Sequence, residues 1–380
     1  MINDTRRLLV MRVTIFARVD TGLNPYVLLF KNTLEREGLI VSLESEFDLD
    51  WLLARSRSCD CIHLQWIDSA YSVSSRTLRS PVYRKLMNHR IFSCLTRIMQ
   101  LMNFSLTLLF AKIQGKTIVF TVHDLDKYGE KSFYQKMLRR IAHHLVFLLS
   151  DHVHVHNFYT RKSLETEYRR KNAVHVIPHG NYIGYYPNRI SKSDARKQLD
   201  VPEGSFVYLF LGLIRPYKGL EELFNAFKKL DGPNARLLVA GRVFGVDGYE
   251  TRLKEIIRND SRIKLIPEFV PDEALQTYFN ACDVFVLPYR HITTSGAAAL
   301  ALSFGRPIIA PDITSFQEII TGKTGILYDP SQPDALLSSL RQAGNRPWSE
   351  AEIYSCAHQF DWDKLGPQLA ALYRKDSKIR

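Results

Sequence analysis

Short runs of β-branched and apolar residues alternate with helix-like stretches along this chain, and after residue 204 the alternation starts again. The first series is RVTIFARV (12–19), LIVSLES (39–45), CDCIHLQW (59–66), TIVFTVHD (117–124), SDHVHVHN (150–157) and VHVIPHG (174–180). The second is SFVYLFLG (205–212), ARLLVAGR (235–242), RIKLIPEF (262–269), VFVLPY (284–289) and PIIAPD (307–312). Apolar runs separated by helices pair in parallel through crossovers and are covered on both faces. The pattern therefore predicts an α/β chain with two tandem Rossmann-like, doubly wound domains, and ligands where strand C-termini face the cleft between them. A length of 380 residues fits two domains of roughly 100–200 residues each. The polar stretch opened by Pro187, Asn188 and Ser191 and closed by the turn at 202–204 sets the domains at 1–190 and 200–358.

Charge divides the same way. The net charge is +12, and residues 1–200 hold 30 basic against 18 acidic side chains, which leaves 21 of each in the rest. Residues 76–116 carry Arg76, Arg79, Arg84, Lys85, Arg90, Arg97, Lys112 and Lys116 and no acid. Mixed with Leu, Met, Ile and Phe, residues 76–112 read as a basic amphipathic surface for an anionic membrane leaflet. They lack a nucleic-acid reading motif. No membrane-spanning helix is expected, since the most apolar stretch is interrupted by Gln100, Asn103, Ser105 and Lys112. Nor is a secretory signal, because no apolar core follows Arg6 and Arg7. The five scattered cysteines suit a reduced cytosolic chain. His152, His154 and His156 share one strand face, but alternate strand positions lie ~6–7 Å apart, too far for three tetrahedral zinc ligands to meet easily.

Two loops of the second series carry chemistry. In FLGLIRPYKG a buried strand ends at Gly212, and Arg215 and Lys218 precede a helix start, a pattern that suits a polyanion. In RHITTSGAAALALSFG, Thr293, Thr294 and Ser295 supply hydroxyls and a helix cap, and Gly296 permits close approach of a ligand beside an open helix start.

These loops, with ACDVFVLPY, LALSFGRPIIAPD and EIITGKTGILYDP, resemble the nucleotide-sugar domain of the retaining glycosyltransferases of family four, which have the two-domain GT-B fold. VIPHG and TVHD fit the same pattern. The resemblance implies that Arg215 and Lys218 hold the donor diphosphate, that Gly212, Thr293, Thr294, Ser295, Gly296 and Glu318 line the donor, and that Gly22 and His123 lie beside it in the first domain. It implies a C-terminal helix, within 361–380, that packs back on the first domain. It also implies a UDP- or GDP-sugar donor, a lipid-linked or polysaccharide-precursor acceptor at the cytoplasmic membrane face, and neither metal nor cofactor. One departure stands out: the family's E-x7-E falls on Ile292 and Leu300, and Val284 to Gln317 contains no Glu. Three outcomes follow from that loss. The Thr293–Ser295 hydroxyls replace the glutamates, the donor is read differently, or the chain is a non-catalytic nucleotide-sugar-binding or partner protein. A nicotinamide-dependent epimerase or dehydrogenase would need a Tyr/Lys helix couple that is missing.

Overall fold

Both series fold into parallel sheets. The computed structural model describes residues 10–17, 24–70, 89–125 and 132–374. Two compact units divide the chain: Met1–Pro178 with Trp362–Arg380, and His179–Asp361. The change of unit lies upstream of the polar stretch at 187–204, because Ile183, Tyr186 and Ile190 already pack on the second unit's core.

In the first unit, strands β1 (Arg12–Phe16), β2 (Ile40–Glu44), β3 (Cys61–Leu64), β4 (Thr117–Val122), β5 (His152–Val155) and β6 (Val174–Val176) form one sheet in the order β2-β1-β3-β4-β5-β6. Strand alternation divides its core in two. Ile62, Phe120 and Val153 face Leu108, Leu138 and Val146 of helices Arg90–Ile113 and Phe133–Leu149. On the other face Val13, Ile15 and Val119 meet Phe30 of helix Pro25–Arg36 and Trp362 and Leu369 of helix Trp362–Ala371. The C-terminal helix thus belongs to the first unit, and Arg36 pairs with Asp363 at its start.

Helix Arg90–Ile113 takes up the most apolar stretch, and Ile91–Ile113 is long and apolar enough by length and composition to cross a membrane. The polar interruptions are absorbed locally: Ser105 Oγ donates to the Leu101 carbonyl at 2.6 Å, and Lys112 Nζ donates to Asp151 at 2.6 Å. One side of this helix, with Leu101, Phe104, Leu108 and Ala111, nevertheless lies in the core.

In the second unit, β7 (Phe206–Leu211), β8 (Ala235–Ala240), β9 (Ile263–Ile266), β10 (Val284–Val286), β11 (Ile308–Pro311) and β12 (Gly325–Tyr328) adopt the order β12-β11-β10-β7-β8-β9. All pairs are parallel, with Leu211 opposite Ala240 and Phe285 opposite Leu209. After β9 the chain returns to the other side of β7, so the strand order reverses between β7 and β10. Loops leaving the C-terminal ends of two such strands diverge and open a crevice, which is where doubly wound sheets bind ligands.

Candidate functional site

The loops after β7 and β10 are built against each other. Gly212 ends β7 at φ 139°, and after β8 a Cβ on Gly241 (φ 145°) would fall 1.9 Å from the Gly212 carbonyl oxygen, so the two glycines allow a backbone approach that no side chain permits. The pairing resumes beyond them, with the Ile214 N–H on the Arg242 carbonyl at 2.9 Å. Arg215 follows, half-buried, its guanidinium carbon 4.8 Å from the centroid of the Phe244 ring. Its Nε is buried without a hydrogen-bond partner. Lys218 Nζ donates to the Tyr289 hydroxyl at 2.7 Å and lies 4.2 Å from the centroid of that ring. Tyr289 comes from the loop after β10 and is 2% exposed, and burial pushes its phenol up, so it stays neutral and accepts.

Backbone contacts lock the same two loops. Gly219 sits at φ 70°, and a Cβ there would lie 1.9 Å from the Pro288 carbonyl oxygen. The Arg290 N–H donates to the Tyr217 carbonyl at 2.9 Å. Arg290 also engages Glu222 at 2.8 Å and Glu221 at 3.3 Å, so the acids in the first turn of helix Leu220–Lys228 are already neutralised by a cation. Two cations of different shape are thereby held beside one crevice: a planar guanidinium suited to paired oxygens, and an ammonium acting as a point charge.

In the hydroxyl loop Thr293 is buried and Thr294 half-buried. Ser295 caps helix Gly296–Ser303, its Oγ accepting the Ala298 N–H at 3.2 Å, so this hydroxyl is engaged by its own helix. At Gly296 a Cβ would meet the Tyr182 hydroxyl at 3.6 Å and His179 Nε2 at 3.7 Å, which are ordinary contacts. His179 was not singled out from the sequence, although it stands right after a strand; desolvation pushes its imidazole down to about 4, and Nδ1 lies 2.8 Å from the Gly180 carbonyl. Glu318 is exposed on the four-residue helix Phe316–Ile319 that follows β11. Just before it, Thr314 holds φ 44° and donates to the Ile292 carbonyl at 2.9 Å, which ties this segment to the hydroxyl loop. A β-branched residue in that region is strained. Ile292 and Leu300 are half-buried and pack on the core.

In the first unit, Gly22, Arg76, Arg79, Arg84 and Lys85 lie outside the described residues, as does the side chain of Arg90. Lys112 and Lys116 are turned to structural use. Lys112 pairs with Asp151, and Lys116 Nζ donates to the carbonyls of Ser56 at 2.5 Å and Cys59 at 2.7 Å. His123, beyond β4, gathers groups from neighbouring strand ends. Its Nε2 donates to Gln65 Oε1 at 2.8 Å, and its ring stacks on Trp66 with centroids 4.2 Å apart. Tyr26 presents an edge at 5.2 Å, and His156 is equally close. Gln65, Trp66 and Tyr26 escaped the sequence reading, because nothing local distinguishes them.

A buried chain of hydrogen bonds runs behind this cluster, and the Ile177 carbonyl sets its direction. His154 Nε2 donates to that carbonyl at 2.9 Å, which leaves Nδ1 to accept from the Thr121 hydroxyl at 3.0 Å. Thr121 accepts from His63 Nε2 at 2.7 Å, and His63 Nδ1 accepts from the Tyr373 hydroxyl of the C-terminal segment at 2.5 Å. His152 pairs instead with His175 at 3.1 Å. Among the described residues no group of three or more His, Cys, Asp or Glu is placed to hold a metal.

Two doubly wound parallel units, the first completed by the returning C-terminal helix, make the GT-B fold, and the chain is a glycosyltransferase. Residues 205–345, most of the second unit, match the model of the family described as Glycosyl transferases group 1. The GDP-mannose:glycolipid 4-beta-D-mannosyltransferase of Xanthomonas campestris pv. campestris is 27% identical over 270 residues, 69% of each chain. Among solved structures, sucrose-phosphate synthase from Thermosynechococcus elongatus superposes with a TM-score of 0.68 at 19% identity, covering 96% of this chain and 98% of its own. Anabaena HepE in complex with UDP and glucose gives 0.66 at 18% identity, covering 95% and 98%. These structural likenesses concern the fold.

Proposed function

We propose that this enzyme moves a hexosyl unit from a nucleoside-diphosphate sugar, a UDP- or GDP-hexose, to a lipid-linked or polysaccharide-precursor acceptor at the cytoplasmic face of the membrane. The observation that carries the reading is the pair Arg215 and Lys218, held at the point where the second sheet reverses its strand order. As the sugar–phosphate bond breaks, negative charge gathers on the departing diphosphate, and cations fixed in advance beside it lower the barrier. In this reading they do the work a metal would do elsewhere. The name of the Xanthomonas relative, with GDP-mannose as donor and a glycolipid as acceptor, favours a GDP-sugar and a lipid-linked acceptor. Thr293 and Thr294 take over donor contacts from the glutamates replaced by Ile292 and Leu300, and Glu318 adds a carboxylate from the next strand end.

Retention is the stereochemical course that the family resemblance implies, with the departing phosphate taking the acceptor proton. A second course has its own support. The relative's name specifies a β-linked product, and a β product from an α-linked sugar nucleotide requires inversion. Inversion needs a protein base, and His123, fixed through Gln65 and Trp66, is the first-unit group to test for it.

A thermal-shift panel of GDP, UDP, ADP and their sugars identifies the donor, since a ligand that binds the native state raises its melting temperature. Transfer from the stabilising donor to a lipid-linked acceptor, with the product's anomeric configuration read by NMR, decides the course. No stabilisation by any nucleotide, together with no transfer, would overturn the proposal.

A further inference from the structure

The outward sides of helices Arg90–Ile113 and Phe133–Leu149 invert the usual arrangement of a surface helix. Ten described positions of Arg90–Ile113 are exposed, and nine of them carry large apolar side chains. Leu95, Met99, Met102, Leu106, Leu109 and Ile113 follow one another at alternating steps of four and three, which is a single helical face. Met99 is 69% exposed and Ile113 77%. On Phe133–Leu149, Phe133 (82%), Met137, Ile141 and Leu148 (75%) repeat the pattern, and Lys136, Arg140 and His144 form an exposed row one position away. Neither helix contains an Asp or Glu.

Both helices are crossovers, from β3 to β4 and from β4 to β5, so both move the same way along the sheet. Right-handed crossovers in one direction lie on one face. Their buried sides accordingly share one core cluster, which holds Phe104, Leu108, Leu138 and Val146. The outward sides therefore look the same way.

We infer that these two faces form one platform that embeds the first unit in the surface of an anionic phospholipid bilayer, with the apolar rows among the upper acyl chains and Lys136 and Arg140 at the headgroups. Charge selects the occupant: the exposed described charges on the two helices are the cations Lys136 and Arg140, and an apolar stripe beside cations matches an anionic interface. The helix Arg90–Ile113 lies in the plane of the interface rather than crossing it, because its other side is committed to the core. The inference rests on the membrane-borne acceptor reading. It narrows the basic amphipathic surface expected at 76–112 to the apolar outward side of helix Arg90–Ile113 and adds a second helix, Phe133–Leu149.

The test needs no substrate, so its outcome is independent of the proposed reaction. The full chain is sedimented with vesicles of phosphatidylcholine and phosphatidylglycerol, at low and high salt. Wild type should bind and keep much of its binding at high salt. Leu106→Glu with Phe110→Glu, both at exposed positions, should weaken binding on the order of a hundredfold. Lys136→Gln with Arg140→Gln should weaken it at low salt only. Circular dichroism and the melting temperature report whether each variant is folded. Wild type remaining in the supernatant, or the glutamate variant binding equally well, would overturn the inference. So would a wild-type dimer that the glutamate variant turns into a monomer without any change in vesicle binding, because the face would then belong to a second copy of the chain.

Discussion

Removing the cations one at a time tests the donor site most sharply. Arg215 has a buried Nε without a hydrogen-bond partner, and Lys218 donates to the neutral Tyr289 hydroxyl. Each loses charge-assisted hydrogen bonds of about 1.5–3 kcal/mol to the bound diphosphate. In the transition state the leaving group carries more charge, and loss of one preorganised donor then costs about 2.7–4 kcal/mol. Arg215→Ala and Lys218→Ala should therefore each lower kcat/KM by roughly 100- to 1,000-fold, at about 1.4 kcal/mol per factor of ten. Tyr289→Phe keeps the ring beneath Lys218 and removes only the hydroxyl, a neutral partner whose loss should cost about 0.5–1.5 kcal/mol, or at most about tenfold. The assay is steady-state transfer, with melting temperature and circular dichroism as controls. If both cation variants turn over like wild type, the diphosphate is not bound here. A Tyr289→Phe defect as large as that of Lys218→Ala would mean that Tyr289, not the ammonium, touches the substrate.

Other outcomes follow from the same geometry. Gly219→Ala places a methyl 1.9 Å from the Pro288 carbonyl and at a φ that costs an alanine about 1–2 kcal/mol, so it should lower both the melting temperature and nucleotide affinity; an unshifted melting curve would mean that the loops are not clasped. Gln65→Leu removes the acceptor that orients His123, so transfer should fall with donor binding unchanged, and Gln65→Glu, which still accepts from Nε2, should restore most of it. Loss of donor binding instead would place His123 on the donor. Burial pushes His63 down, and holds His143, His175 and His179 near 4 against 6.5 unfolded. The unfolded chain then binds more protons between those values. Stability should be flat above pH 7 and fall as pH drops, with His143 alone contributing about 2 kcal/mol by pH 5. Urea midpoints that do not change from pH 7.5 to 5 would contradict this.

Much of the second unit could be read in advance because its signals are local. An apolar run that stops at glycine and is followed by Arg and Lys places two cations at a strand end without any knowledge of the neighbours. Strand β12 was legible only through family resemblance, since GILY is four residues long and follows a turn. The first unit's cluster was harder. Gln65 and Trp66 follow β3, Tyr26 starts helix Pro25–Arg36, and they meet His123 only after the sheet closes. Basic residues misled in the same way: Lys112 and Lys116 look like surface charge, yet they neutralise Asp151 and tie down carbonyls of Ser56 and Cys59.

By itself, the sequence determined the periodicity, the parallel α/β class and the two cations at a strand end, because each is a property of a short segment. Tertiary structure decided which strands are neighbours, and with that everything that depends on two segments meeting. The placing of β10 beside β7 brings Tyr289 under Lys218, and two crossovers on one face turn scattered apolar residues into a single outward platform. Side-chain partners are set by strand order and crossover hand, and no window of sequence contains either.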